Sequence, residues 1–68
     1  MNNKKIGKFI SKLRKNKKIT QEELSALLFI NSKTISKWEN GITIPDTIYL
    51  YELSKIFNIS TDEILNAK

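Results

Sequence analysis

The apolar side chains near the start of the chain recur with the period of an α-helix. Their spacing of i, i+3, i+4 and i+7 places them on one helical face, and lysines occupy the opposite face. The residues of the apolar face are Ile6, Phe9, Ile10 and Leu13. The pattern predicts an amphipathic helix over about residues 4–16.

Polar residues that cap helices precede the next two apolar segments. Thr20 and Glu23 have the spacing of a capping box, in which each side chain bonds the backbone of the other residue. They predict a second helix over about residues 21–28. Asn31 is a favourable N-cap for a third helix over about residues 32–40.

The link between these two helices consists of residues 29–31. So short a link holds the helices at a steep angle, which is the geometry of a helix-turn-helix. We therefore expect that motif over about residues 20–40.

The last part of the chain predicts two more helices. Asp46 follows a proline and can cap a helix over about residues 46–58. The inner face of that helix carries Leu50, Leu53 and Phe57. Ser60 and Glu63 repeat the capping box and predict a short helix over about residues 61–66. Since the sequence has no strand signal, linker or repeat, we expect an all-α fold of five helices.

The composition excludes several classes of function. The chain has 68 residues, enough for one domain over residues 1–68, and contains neither cysteine nor histidine. It therefore lacks a disulfide, a Cys/His zinc site and any His or Cys to act as catalytic base or nucleophile, and its few acids lie mostly at helix starts. We expect no metal, no cofactor and no enzymatic activity. The longest apolar run, residues 27–30, is too short for a membrane span or signal peptide, and we expect a cytoplasmic protein.

Positive charge is concentrated at the N-terminal end. The formal net charge is +5, and residues 1–18 contain eight of the 12 lysines and arginines but none of the seven acids. Such a segment suits the phosphates of a nucleic acid. Two alternatives stay open. One is a solvated helix face that aids solubility, and the other is a membrane-surface role, which is poorly supported because the apolar face of the first helix is needed for the core.

The predicted third helix presents hydrogen-bond donors on one face and apolar side chains on the other. Its donors are Ser32, Lys33, Ser36, Lys37 and Asn40. Ile35 and Trp38 lie toward the core. A donor face without an acid can meet base edges in the major groove of DNA, which is wide enough for one helix. An ordinary polar face is the alternative, but the short preceding turn favours DNA, because it lets the second helix of the motif protrude.

Four residues outside this donor face have predicted roles. Gln21 begins the second helix, where a helix-turn-helix crosses the phosphate backbone, so we expect a phosphate contact; a favourable first-turn residue is the alternative. Arg14 and Glu39 flank the apolar faces of their helices and can form a partly buried ion pair, which we interpret as structural rather than catalytic. We assign Trp38 to the core rather than to base stacking.

Residues 20–25 and 30–41 resemble the helix-turn-helix of Cro/phage-repressor-type regulators, the XRE family. The similarity extends from Ile6 to Leu65 and so covers nearly the whole chain. It implies a compact, five-helix, lambda-repressor-like DNA-binding domain in a transcriptional regulator. We expect a repressor that occupies an operator in double-stranded DNA.

The resemblance also implies roles for particular residues. It implies base contacts from Ser32, Lys33, Ser36 and Lys37. It implies phosphate contacts from Gln21 and Asn40, to which we add Asn31. It further implies that Arg14 and Glu39 form the structural ion pair.

Two departures from the family pattern bear on the site. The family often has glycine in the turn between the second and third helices, where this chain has Phe29. A bulky residue at positive φ is strained, so either the turn differs or the strain is tolerated. The loop over residues 41–46 contains no lysine or arginine, whereas lambdoid relatives often have basic residues near there. We therefore expect weaker phosphate contacts from this loop than in those relatives.

Such regulators bind as dimers on two half-sites about one helical turn apart, roughly 34 Å. The predicted fourth helix carries apolar side chains away from its inner face, namely Ile48, Tyr49, Tyr51 and Ile56. They can form the interface of a weak or DNA-assisted homodimer, or they can be scattered surface residues. The sequence indicates no membrane partner and no small-molecule ligand.

The chief alternative function is a protein-interaction module, such as an antitoxin whose main partner is a protein. The fold would be the same, and exposed apolar residues of the fourth and fifth helices would form the interface. Because the chain ends just after the predicted fifth helix, we expect either a complete recognition domain or the N-terminal domain of a longer protein.

Overall fold

Five α-helices make up the architecture. The computed structural model describes residues 2–67, and within that range every regular element is helical. The helices are α1 (Asn3–Asn16), α2 (Gln21–Leu28), α3 (Ser32–Glu39), α4 (Thr47–Phe57) and α5 (Thr61–Leu65). The predicted all-α, five-helix fold is confirmed. The prediction of one domain over residues 1–68 includes residues 1 and 68, which lie outside the described range.

The predicted helix ends are wrong by one residue at several places. Helix α1 begins one residue earlier than expected, at Asn3. Asn40, Asn58 and Asn66 were expected inside helices but are C-cap residues, whereas Asp46 is the N-cap that the sequence predicts. The backbone of Asp46 is extended and that of Asn58 is left-handed, so neither continues the helical hydrogen-bond ladder.

Each helix begins at a side chain that accepts a hydrogen bond from the first turn. These N-cap residues are Asn2, Thr20, Asn31, Asp46 and Ser60. Both predicted capping boxes are confirmed: the Thr20 hydroxyl accepts from the Glu23 N–H at 3.0 Å, and the Glu23 carboxylate accepts from the Thr20 N–H at 2.9 Å. Caps of this kind contribute about 1 kcal/mol each. They define where short helices begin in a chain that has few residues for a core.

The core lies where α1 and α2 both pack against α3, with α4 and α5 closing the remaining sides. Its fully buried side chains include Ile6, Ile10, Leu24, Ile35, Leu53 and Ile64. Trp38 is buried as predicted and is 3% exposed. With its inner side buried in this way, α3 has only its polar side facing solvent.

Gly7 lets α1 cross α3 at backbone contact. A Cβ atom at Gly7 would overlap the carbonyl oxygen of Trp38 and would lie 2.9 Å from the carbonyl oxygen of Glu39. Because both oxygens belong to the backbone, no side-chain rotation could make room. The glycine therefore fixes how closely α1 approaches the last turn of α3.

Helix α4 exposes less apolar surface than the sequence predicts. Tyr49 and Ile56, expected outside the inner face, are half-buried and pack against the core. The ring of Tyr49 lies 5.6 Å from that of Trp38, centroid to centroid. Ile48 and Tyr51 remain exposed, at 70% and 57%. The predicted interaction surface on α4 is thus reduced to these two side chains.

The turn between α2 and α3 contains a strained residue. Phe29 ends α2 in the left-handed conformation, with φ of 57°. Its side chain is 94% exposed, so burial does not offset the strain. Of the two outcomes that the sequence left open, tolerated strain is the one found.

Across residues 2–67, no helix is long and apolar enough to cross a bilayer. The same residues contain no group of three or more acidic, histidine or cysteine side chains placed to hold a metal ion.

Candidate nucleic-acid interface

The exposed face of α3 gathers the four residues that were predicted to contact bases. Lys33 and Lys37 are exposed one turn apart, and Ser32 and Ser36 are half-buried beside them. On the opposite side, Ile35 and Trp38 anchor the helix in the core. The face therefore presents ammonium and hydroxyl groups to solvent. Contact with bases itself stays a prediction.

Asn40 follows the last turn of α3 and bonds to the donor face. Its side-chain Nδ2 donates to the Ser36 hydroxyl at 3.2 Å. An amide nitrogen carries two hydrogens and a hydroxyl oxygen can accept while it donates. Asn40 thus keeps one amide hydrogen, and Ser36 keeps its hydroxyl proton, free of this bond.

Arg14 and Glu39 form the ion pair predicted from the sequence. Arg14 Nε donates to Glu39 Oε2 at 2.7 Å, and Nη2 donates to Oε1 at 3.0 Å, so the pair is bidentate. The two side chains are only 11% and 6% exposed. Arg14 Nη1 also donates to the Ile19 carbonyl at 2.8 Å. The guanidinium therefore ties α1 to the end of α3 and to the loop before α2.

Gln21 joins this ion pair, a contact that the sequence analysis missed. Its Nε2 donates to Glu39 Oε1 at 3.1 Å. The second hydrogen on Nε2 is not used in that bond. The carboxylate of Glu39 thus orients the side chain that begins α2. Helical wheels of the separate helices could not reveal this contact, because it depends on how α2 packs against α3.

The environment of Glu39 keeps its side-chain carboxyl group ionised. Burial alone would raise the pKa of this carboxyl, but the hydrogen bonds from Arg14 and Gln21 outweigh burial and hold the pKa below its ordinary value. The hydrogen bond to Glu39 raises the pKa of Arg14 above its ordinary value. The negative charge beside the donor face of α3 is therefore neutralised within the protein.

Asn31 caps α3 with one side of its amide. Its Oδ1 accepts from the Lys33 N–H at 2.8 Å, and the residue is exposed. The amide nitrogen is left to donate. Gln21, Asn31 and Asn40 each combine an intramolecular bond with a free donor, which keeps all three suited to phosphates.

A polar depression lies beside this surface, between α1 and the end of α3. It has a volume of about 460 Å³. The residues that line it are Lys8, Ser11, Lys12, Lys15, Asn16 and Glu39. The sequence analysis noted the charge of α1 but did not predict a depression. The i, i+4, i+7 spacing of its three lysines was the available signal.

The model of the helix-turn-helix family matches residues 10–64, most of the chain. The matched segment includes the ion pair, the short turn and the donor face of α3. This chain belongs to the helix-turn-helix family, and its fold is of the lambda-repressor-like type.

Three bacterial transcriptional regulators are similar to this chain over most of its length. The HTH-type transcriptional activator BcrR of Enterococcus faecalis is 37% identical over 59 residues, which are 87% of this chain and 29% of BcrR. The HTH-type transcriptional regulator DicA of Escherichia coli is 40% identical over 60 residues, 88% of this chain and 44% of DicA. The uncharacterized HTH-type transcriptional regulator y4dJ of Sinorhizobium fredii is 34% identical over 62 residues, 91% of this chain and 80% of y4dJ.

This helix-turn-helix chain spans less than half the length of BcrR and DicA. The regulator of similar length is y4dJ, of which it spans 80%. The similarity therefore concerns the helix-turn-helix segment that these proteins share.

Proposed function

We propose that this protein binds double-stranded DNA sequence-specifically and regulates transcription, with α3 in the major groove. One observation carries the proposal: α3 holds a face of hydrogen-bond donors in solvent, and the carboxylate nearest to that face is neutralised by Arg14. DNA offers acceptors at its phosphates and at many base edges, so this surface is complementary to it. The relatives named as transcriptional regulators support the same function.

The four donors on α3 are the proposed base contacts. Lys33 and Lys37 are long enough to reach the O6 and N7 acceptors of guanine, and each good contact of this kind discriminates by about 1–3 kcal/mol. Ser32 and Ser36 can donate to acceptors or accept from base amino groups. Recognition of the bases would rest on these side chains.

Three amides are the proposed phosphate contacts. Gln21 and Asn40 lie at the start of α2 and the end of α3, and Asn31 lies at the start of α3. Gln21 donates to Glu39, and Asn40 donates to the Ser36 hydroxyl. Asn31 accepts from the backbone N–H of Lys33. Phosphate contacts position a protein on the duplex without recognising sequence. We infer that these three residues fix how α3 enters the groove.

We further propose that two copies bind neighbouring half-sites as a weak or DNA-assisted homodimer. Ile48 and Tyr51 are exposed and three residues apart, so they lie on the same face of α4. Occupation of an operator by such a dimer would repress transcription by excluding polymerase. We infer binding without catalysis, since the sequence has neither histidine nor cysteine.

The same exposed pair on α4 favours one second candidate, a module whose main partner is another protein. In that case Ile48 and Tyr51 would contact the partner, and DNA binding would be secondary. The two functions differ in whether the protein alone selects a DNA sequence.

Selection of binding sites from random duplexes at moderate salt tests the proposal. We expect an enriched motif with two related half-sites about 10 base pairs apart, one turn of the duplex. No enriched motif would contradict sequence-specific binding and favour the protein-interaction module. A single half-site would support DNA recognition but contradict the homodimer.

A further inference from the structure

The depression between α1 and the end of α3, which we name the α1 cleft, has no role in the proposal above. Lys8, Lys12 and Lys15 lie along one side of α1 and are exposed. Ser11 and Asn16 add a hydroxyl and an amide between them. The cleft therefore presents several donors to solvent within a space of about 460 Å³.

The α1 cleft is positively charged despite the carboxylate in its lining. Glu39 is bonded to Arg14 at 2.7 and 3.0 Å, so its charge is neutralised by the guanidinium. The ion pairs among residues 2–67 are Arg14–Glu39 and Lys55–Glu52, and neither includes a lysine of the cleft. The charge of the three lysines is thus available to an anion.

Lys8 and Lys12 do not serve the stability of α1, whereas Lys15 lies in its last turn, where the helix dipole favours a cation. Helix α1 contains no acid, and Lys8 and Lys12 are a like-charge pair at i, i+4, which destabilises a helix. Lys4 and Lys5 lie at its N-terminal end, where the helix dipole disfavours positive charge. A role in solubility would be met equally by a mixture of acids and lysines. The uniform charge therefore indicates a polyanionic partner.

We infer that the α1 cleft binds phosphates of the duplex outside the half-site that α3 recognises. The inference rests on the proposed function. The cleft adjoins Glu39 in the last turn of α3, next to Asn40. A helix that leaves the major groove passes the phosphate backbone, so side chains beside its end lie near phosphates of the flanking base pairs.

Duplex DNA fits the α1 cleft better than an anionic lipid surface does. A helix that lies on a membrane buries an apolar face in the lipid. The apolar face of α1 is already in the core, where Ile6 and Ile10 are 1% and 0% exposed. The lining residues of the cleft are all polar or charged. The separate ammonium groups along one side of α1 match a row of phosphates.

The test compares the wild type with a Lys8→Gln/Lys12→Gln/Lys15→Gln variant on two duplexes. One contains the selected site with about ten flanking base pairs on each side, and the other is trimmed to the site. Binding is measured by fluorescence anisotropy over a range of salt concentrations. On the flanked duplex we expect the slope of log K against log salt to fall by about 2–3, since each phosphate contact contributes about 0.9. Affinity at 0.1 M salt should fall at least about tenfold.

On the trimmed duplex the variant should bind almost as the wild type does, and the preference for the site over a scrambled sequence should not change. Lys8→Arg/Lys12→Arg/Lys15→Arg keeps the charge and should keep the slope. Lys55→Gln removes a lysine that pairs with Glu52 on α4 and should leave the slope unchanged. A circular dichroism melt checks that each variant is folded. If the triple variant is unfolded, Lys12→Gln is measured alone, and it should lower the slope by about 1.

Three results would overturn the inference. The first is an unchanged slope on the flanked duplex. The second is an equal fall on both duplexes, which would place the cleft at the recognised site. The third is lysine-dependent sedimentation with phosphatidylserine vesicles while DNA binding is unaffected, which would assign the cleft to lipid. If the wild type selects no sequence, the proposed function fails instead, and the slope measured on any long duplex still reports on the cleft.

Discussion

Phe29 is a residue at which local backbone preference and the fold disagree, since its φ is 57°. A left-handed conformation costs a residue with a Cβ atom roughly 1–2 kcal/mol, and glycine adopts it readily. The side chain is 94% exposed, so it contributes little burial. The sequence alone could identify the unusual residue, because family members often have glycine there. It could not decide between a changed turn and a tolerated strain, since that depends on how α2 and α3 pack.

Phe29→Gly should stabilise the fold by about 1 kcal/mol, because it relieves the backbone strain and removes almost no buried surface. The measurement is urea unfolding followed by circular dichroism. Asn58→Gly is the matched control, since Asn58 ends α4 with φ of 55° and asparagine tolerates that region. The control should change stability by only a few tenths of a kcal/mol. A loss of stability in Phe29→Gly would show that the side chain supports the fold.

At the scale of the helices, apolar spacing and caps were enough to predict all five elements. Their ends were less predictable, because Asn58 has helix-like sequence surroundings but a left-handed backbone. The faces of α4 were partly wrong for a different reason. A helical wheel shows which side chains share a face, but the covering of Tyr49 by Trp38 depends on tertiary packing.

Glu39 links three of these helices, and its protonation should weaken the fold. The pKa of Glu39 is lower in the folded protein than its ordinary value. Its contribution is therefore complete above the pKa of the unfolded state, about 4.3 for glutamate, and is lost as pH falls through the lower folded value. Arg14 stays charged throughout. We expect the contribution of Glu39 to the free energy of unfolding to be constant near neutral pH and to fall in acid.

Glu39→Gln should cost about 3 kcal/mol at pH 7, because it leaves Arg14 without its counter-charge. The bond from Arg14 to the Ile19 carbonyl remains and keeps the loss at the lower end of the range for buried pairs. The difference from the wild type should shrink below about pH 4. Urea unfolding between pH 7 and pH 3 measures both effects. A difference that is independent of pH would contradict the role assigned to the ionised carboxylate.

The surface pair on α4 provides the control for that experiment. Lys55 Nζ lies 3.3 Å from Glu52 Oε1, with side chains that are 54% and 42% exposed. Exposed pairs contribute little, so Glu52→Gln should cost less than about 1 kcal/mol.

At the scale of the whole molecule, most of the positive charge and the proposed recognition face lie on different helices. The net charge of +5 predicted a polyanionic partner, and most of the basic residues lie in the first 18 positions. The donor face of α3 carries only Lys33 and Lys37 as cations. The sequence could place these groups on helices, but the depression beside α1 required the packing of α1 against α3. We expect α1 to contribute affinity that depends on salt, and α3 to contribute the preference for sequence.

The most direct test of recognition by α3 is the ratio of affinities for the selected site and a scrambled duplex. It should be measured by anisotropy for the wild type and for Lys33→Ala/Lys37→Ala, with Lys55→Ala as the control. The double variant should lower the ratio by at least about 30-fold, since each good base contact contributes about 1–3 kcal/mol, and the control should keep it. A double variant that still prefers its site as strongly as the wild type would contradict recognition by α3.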